Sequence, residues 1–150
     1  MKKGLSVMLA VCLCFACLLV ASPAAYAQDA RAMPVPFTFT DRVVLTPNLQ
    51  DSFPPGTAEF DVTITGLYDA QGDHVYSIQS ATCVYRGGVN CTEHDMEVST
   101  WTTSTDRGYV FWELVGTLTF SWTSPVTGVQ YESVFYHGPD QSFRAYDYME

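Results

Sequence analysis

Residues 58–68, AEFDVTITGLY, alternate without a break. Phe60, Val62 and Ile64 fall on one side, and Glu59, Asp61, Thr63 and Thr65 on the other. A period of two belongs to an extended strand with one face in a core and the other in water. A helix would scatter the same residues around its axis. This stretch therefore predicts a half-buried β-strand.

The chain after Pro36 continues in the same idiom. Nothing in it sustains a helical period. It is rich in Thr, Val, Tyr, Phe and Trp, and turn signals recur at short intervals. Strands are expected over 37–45, 58–68, 75–85, 91–101, 108–122, 129–137 and 142–148. A proline-broken connection, LTPNLQDSFPPGT, follows the first strand, and the turn DAQGD at 69–73 follows the second. Seven strands in one domain predict an antiparallel all-β fold. The expected form is a β-sandwich of immunoglobulin-like type, with a small β-barrel as the alternative.

The first 27 residues belong to a different class. Lys2 and Lys3 precede an uncharged apolar run, Leu5 to Val20, and Ala25-Tyr26-Ala27 supplies a small-x-small site. That pattern predicts a secretory signal peptide over 1–27, cleaved after Ala27. The run is short for a membrane span and no basic stop-transfer cluster follows it, so no transmembrane anchor is expected in the mature chain. Residues 28–36 read as a flexible leader, and 37–150 as the β domain. The expected location is periplasmic or secreted.

Cleavage changes the chemistry of what remains. Cys12, Cys14 and Cys17 leave with the signal, and so do both lysines. Five arginines (31, 42, 86, 107 and 144) then stand against 16 acids, a net charge of −11. An acidic chain without lysine has no basic stripe with which to displace phosphate counterions. Nucleic acid is excluded as a partner on that ground, and anionic lipid with it.

Cys83 and Cys91 are the remaining cysteines, and an even pair in an exported chain predicts a disulfide. They flank CVYRGGVNC, in which Arg86, Gly87 and Gly88 would form a loop tip. If 75–85 and 91–101 were a hairpin with Cys83 opposite Cys91, Ile78 would face Met96 and Tyr76 would face Val98. Glu97, Asp95 and Glu93 would then share the other face, with Asp61 and Glu59 as candidates to join them. The hydrophobic pattern and the cysteine spacing agree on that register. The nine-residue ring resembles, in size only, the reactive loop of Bowman–Birk protease inhibitors. The Thr-x-Ser-x-Pro-Pro pattern that stiffens such loops is absent.

A second hairpin is expected around TSPVTG. Setting Trp122 against Val129, Phe120 against Tyr131 and Leu118 against Ser133 makes one face core. The reverse face then carries Tyr109, Phe111, Val115, Val134 and Tyr136, with Trp101 nearby. An aromatic patch beside carboxylates suits a glycan or a protein partner, and it is the main candidate site. His74, His94 and His137 have no metal-ligand spacing, and no nucleophile motif occurs. No metal or cofactor is expected. The sequence points to an exported bacterial binding module rather than an enzyme. Its alternatives are a self-associating subunit of a surface structure, and a small secreted hydrolase or inhibitor-like protein.

Overall fold

The computed structural model describes residues 33–150. The expected signal peptide and the first part of the leader lie outside the described residues. The rest is all-β and forms two antiparallel sheets. In chain order the strands are β1 (Val35–Leu45), β2 (Thr57–Asp69), β3 (His74–Val89), β4 (Cys91–Trp101), β5 (Tyr109–Ser124), β6 (Gly128–His137) and β7 (Gln141–Arg144). A short 3-10 turn, Ala145–Tyr148, closes the chain. The first sheet runs β1-β2-β3, and the second runs β4-β5-β6 with β7 also paired to β5.

β2 shows why the alternation is decisive. Ala58, Phe60, Val62, Ile64, Gly66 and Tyr68 are buried, and the residues alternating with them are only partly so. Each fully buried apolar side chain contributes about 1.5–3 kcal/mol. β5 supplies the matching set from the other sheet, with Val110, Trp112, Leu114, Leu118 and Phe120 in one shared cluster. Aromatic rings knit the ends of this core. Phe39 stacks on Phe143 at 4.0 Å between ring centres, and Phe39 also meets Trp112 at 5.8 Å.

β3 and β4 do not form the expected hairpin. β3 pairs with β2, from Asp69↔His74 to Thr57↔Val89, and β4 pairs with β5. Between them Asn90 takes φ 61° and hands the chain from one sheet to the other. Asn is among the few residues that adopt this left-handed conformation readily. The corner is held by Ser121 N donating to Asn90 O at 2.8 Å and by Asn90 Nδ2 donating to Pro55 O at 3.2 Å. Gly88 lies inside β3, where an added Cβ would stand 2.0 Å from Thr57 O. Gly87 and Gly88 are therefore strand residues beside a bulge, not a loop tip. β3 and β4 still touch, face to face across the core, but through other residues than the hairpin would have paired: Tyr85 meets His94 at 4.3 Å between ring centres. Cys83 Sγ donates to Met96 O at 3.1 Å.

The β5–β6 hairpin does form, one residue out of the expected register. Trp122 pairs with Gln130, Leu118 with Val134 and Gly116 with Tyr136. The loop is shorter than TSPVTG suggested, because Ser124 already pairs with Gly128. Ser124 Oγ accepts from Val126 N and Thr127 N at 3.2 Å, and Gly128 takes φ 88°. A three-residue loop closed by a left-handed glycine is a favoured hairpin geometry. A slip of one residue turns every β6 side chain to the other face. Val134 and Tyr136, expected outside, pack on the core, while Phe135, expected inside, is 70% exposed.

Candidate binding face

The outer face of the second sheet is built from alternate residues of three long strands. β4 contributes Glu93, Asp95, Glu97 and Trp101, and β5 contributes Tyr109, Phe111, Glu113 and Val115. β6 contributes Phe135 and His137. Trp101 pairs with Phe111 across the strands, and their rings lie nearly parallel, 16° apart with centres 6.1 Å apart. Tyr109 extends this aromatic row and is 41% exposed. Beside it Arg144 of β7 reaches Asp73 Oδ1 at 3.3 Å and lies over the Tyr146 ring at 5.4 Å.

Glu113 lies between Phe111 and Val115 on the same strand face. Its side chain is only 12% exposed, and its Oε2 sits 3.2 Å from His137 Nδ1. The same nitrogen is 3.2 Å from Gly138 O. One N–H cannot serve both acceptors well, and the buried Oε2 has no satisfactory hydrogen-bond donor. That oxygen is closed to a ligand, so what Glu113 can offer a ligand hydroxyl is only the small part of its side chain that stays exposed. Further along, Asp95, Glu97, Val115, Thr117 and Phe135 line a shallow depression.

Of the residues expected on this face, Trp101, Tyr109, Phe111 and Val115 are there together. Val134 and Tyr136 are not, for the register reason given above. Glu113, Phe135 and His137 take their place and were not singled out from the sequence. Gly128 was the signal that could have placed them, since a left-handed glycine at that point fixes the short loop and with it the register. The acidic row of Glu93, Asp95 and Glu97 is exposed, but Glu59 and Asp61 belong to the other sheet and do not join it.

The loop candidates also move. Arg86 projects from the outer face of the first sheet, where its Nε reaches Asp61 Oδ2 at 2.6 Å. Arg42 Nε reaches the other oxygen at 2.8 Å. Hydrogen bonds from the Arg42 and Arg86 guanidinium groups hold the Asp61 carboxyl below the usual range. Cys83 and Cys91 are free thiols in this structure, so the expected disulfide is not formed. The two sit on different sheets, and Cys83 lies against Met96, five residues on from Cys91 along β4. At about 3.3 Å per residue that is roughly 15 Å, well beyond the span of a disulfide. Burial raises both thiols above their ordinary pKa, which makes them poor nucleophiles.

Among the described residues, no three His, Cys, Asp or Glu side chains meet in a way that could hold a metal ion. No helix among them is long and apolar enough to cross a membrane. No protein-family model matches the chain, and no curated protein or solved structure matches it.

Proposed function

We propose that this chain is an exported β-sandwich of immunoglobulin-like type that binds a glycan on the outer face of its second sheet. The observation that carries this reading is the near-parallel Trp101–Phe111 pair with Glu113 beside it. Sugar rings present flat C–H faces and a rim of hydroxyls. Parallel aromatic rings match the first, and the exposed carboxylates of Asp95 and Glu97 further along the face match the second. Tyr109 lengthens the platform along the strand direction, so the site fits a chain of sugars better than a single one. The signal-like N-terminus and the acidic surface support a location outside the cytoplasm.

The test is an oligosaccharide array probed with residues 28–150, followed by titration of the retained sugars. Trp101→Ser and Phe111→Ser should each weaken binding about tenfold or more, as expected for an aromatic anchor. Glu113→Gln keeps an acceptor oxygen and should lose less than Glu113→Leu. Retention of no glycan by the wild-type chain, or equal binding by all four variants, would overturn the reading.

A further inference from the structure

The edges of the two sheets are not protected alike. β1 carries Pro36 within the strand and exposed Asp41 and Arg42, and its start is capped by Glu150 N donating to Pro36 O at 3.1 Å. β3 is broken by three register shifts against β2. β4 presents exposed Glu93, Asp95 and Glu97. Prolines, bulges and charges are the devices that stop an edge from recruiting another strand. β6 has no proline and no bulge, and the one such device on it is an inward-pointing charge. It pairs with β5 from Gly128 to His137 without a register shift, and among the described residues nothing pairs with its other edge. Its single acid, Glu132, points inward and accepts from Gln50 N at 3.1 Å. The outward row carries Val129 55%, Tyr131 69% and Phe135 70% exposed, with uncharged Ser133 between the aromatics and His137 at its end.

We propose that β6 is a homodimerisation edge, on which a second copy adds its own β6 in antiparallel register. The strand is self-complementary about Ser133. With Ser133 opposite Ser133 of the second copy, each Tyr131 faces a Phe135 and each Val129 faces a His137. On the inner side Glu132 faces Val134, so no like charges oppose one another. A register centred one residue earlier would set Glu132 against Glu132, which is unfavourable. Each aromatic side chain can bury 150–250 Å² in full, and about two-thirds of each is available here. With the backbone and Val129 counted on both copies, the buried area is on the order of 1,000 Å², at the lower limit for a specific interface. The dimer is therefore reversible.

The symmetry has a functional consequence. Antiparallel pairing within one sheet puts the two-fold axis perpendicular to that sheet, so both outer faces look the same way. Two Trp101–Phe111 platforms then face one surface, and a polymer or cell wall can be held at two points. Linking two weak sites in this way raises apparent affinity by mass action alone.

The experiment is sedimentation of residues 28–150 over a concentration series, with cross-link mapping. The wild-type chain should pass from monomer to dimer. Tyr131→Lys and Phe135→Lys alter exposed side chains, so they should leave the circular dichroism spectrum unchanged and raise the dimer dissociation constant at least tenfold. Mild oxidation of the Ser133→Cys variant should join two copies through a disulfide between their substituted positions, while Tyr131→Cys should link only when mixed with Phe135→Cys. A wild-type chain that stays monomeric at millimolar concentration, or cross-links that map to another strand, overturns the proposal. Glycan binding is read separately through Phe111→Ser, which should not change the sedimenting mass. Failure of one idea is thus distinct from failure of the other.

Discussion

Two connections in this protein carry glycine and look alike in the sequence, yet they do opposite things. VYRGGVN ends β3 and leads through Asn90 into β4, and SPVTG joins β5 to β6. The second reverses the chain into a hairpin. The first does not reverse it at all, but carries it around a corner into the other sheet. The difference lies in which residue holds the left-handed conformation and what surrounds it. At the hairpin it is Gly128, in open space, after a serine that satisfies two loop amides. At the corner it is Asn90, while Gly88 is small because the backbone of β2 passes directly over it. A glycine pair between two apolar runs thus means a turn only if nothing else needs the room.

An all-or-none measurement breaks this comparison outright. If the β3–β4 segment is a corner, an unreduced digest of the folded protein should contain no Cys83–Cys91 linked peptide. A quantitative yield of that peptide would restore the hairpin. The next largest effect is expected at Gly88. Gly88→Val drives a branched side chain into Thr57 O and should cost on the order of 3 kcal/mol or more, at the top of the overpacking range. Urea midpoints will show it. A hairpin tip would tolerate the change far better.

Asn90→Val should cost about 1–3 kcal/mol, since a β-branched residue resists a positive φ, whereas Asn90→Gly should stay close to wild type. Gly128→Ala should cost about 1–2 kcal/mol. It meets no neighbour within 4 Å, so only the backbone strain is felt. A Gly128→Ala loss equal to that of Gly88→Val would show that the two glycines do the same job.

The smallest effect concerns a third connection, the β2–β3 turn, where the chain again reverses. Asp73 sits there at φ 46°, and its carboxylate accepts from the Tyr68 hydroxyl. Tyr68 is 1% exposed. Burial first, and then the bond to Asp73, push its pKa up to about 12. Unfolded tyrosine titrates near pH 10. The folded state thus favours the neutral phenol. That contribution is fully present below about pH 10 and is lost as pH rises through the folded value. Stability measured between pH 9 and 12 should fall less steeply in Tyr68→Phe than in wild type. At the acid end the signs reverse for Asp73, whose carboxyl is held low by Tyr68 and Arg144. Its contribution is lost as pH falls below about 4, and Asp73→Asn should flatten that limb.

Strand positions were legible because the signal is local. β4 was expected at 91–101 and lies at Cys91–Trp101, and β2 and β5 differ from expectation by one or two residues at each end. β1 begins at Val35, two residues early, because Val35 and Pro36 continue the ladder opposite Tyr68 and Leu67 of β2. The last expected strand, 142–148, gives way to a 3-10 turn after Arg144. Trp101, Tyr109, Phe111 and Val115 were placed on the right face because they depend only on the parity of β4 and β5. Val134 and Tyr136 were misplaced because their face depends on how many residues the next turn holds. Glu113 and His137 were overlooked for the same reason, since only the true register brings them together.

What the amino-acid order determined by itself was the strand-rich secondary structure, the inward and outward parity of β2, β4 and β5, and the acidic, lysine-free composition after the expected cleavage. These follow from nearest-neighbour chemistry: side-chain alternation, β-branching and charge count. Beyond the β5–β6 hairpin, only the tertiary structure decided which strands are neighbours, and it alone set the register. The agreement that favoured a Cys83–Cys91 hairpin was genuine. Tyr76, expected beside Val98, is 64% exposed, but Ile78, Met96 and Val98 do seek the same core. The hydrophobic effect is non-directional, however, and rewards their meeting across two sheets as well as within one. Directional backbone hydrogen bonds, left-handed Asn90 and the close pass of β2 over Gly88 select between those two arrangements, and they exist only once the whole chain is folded.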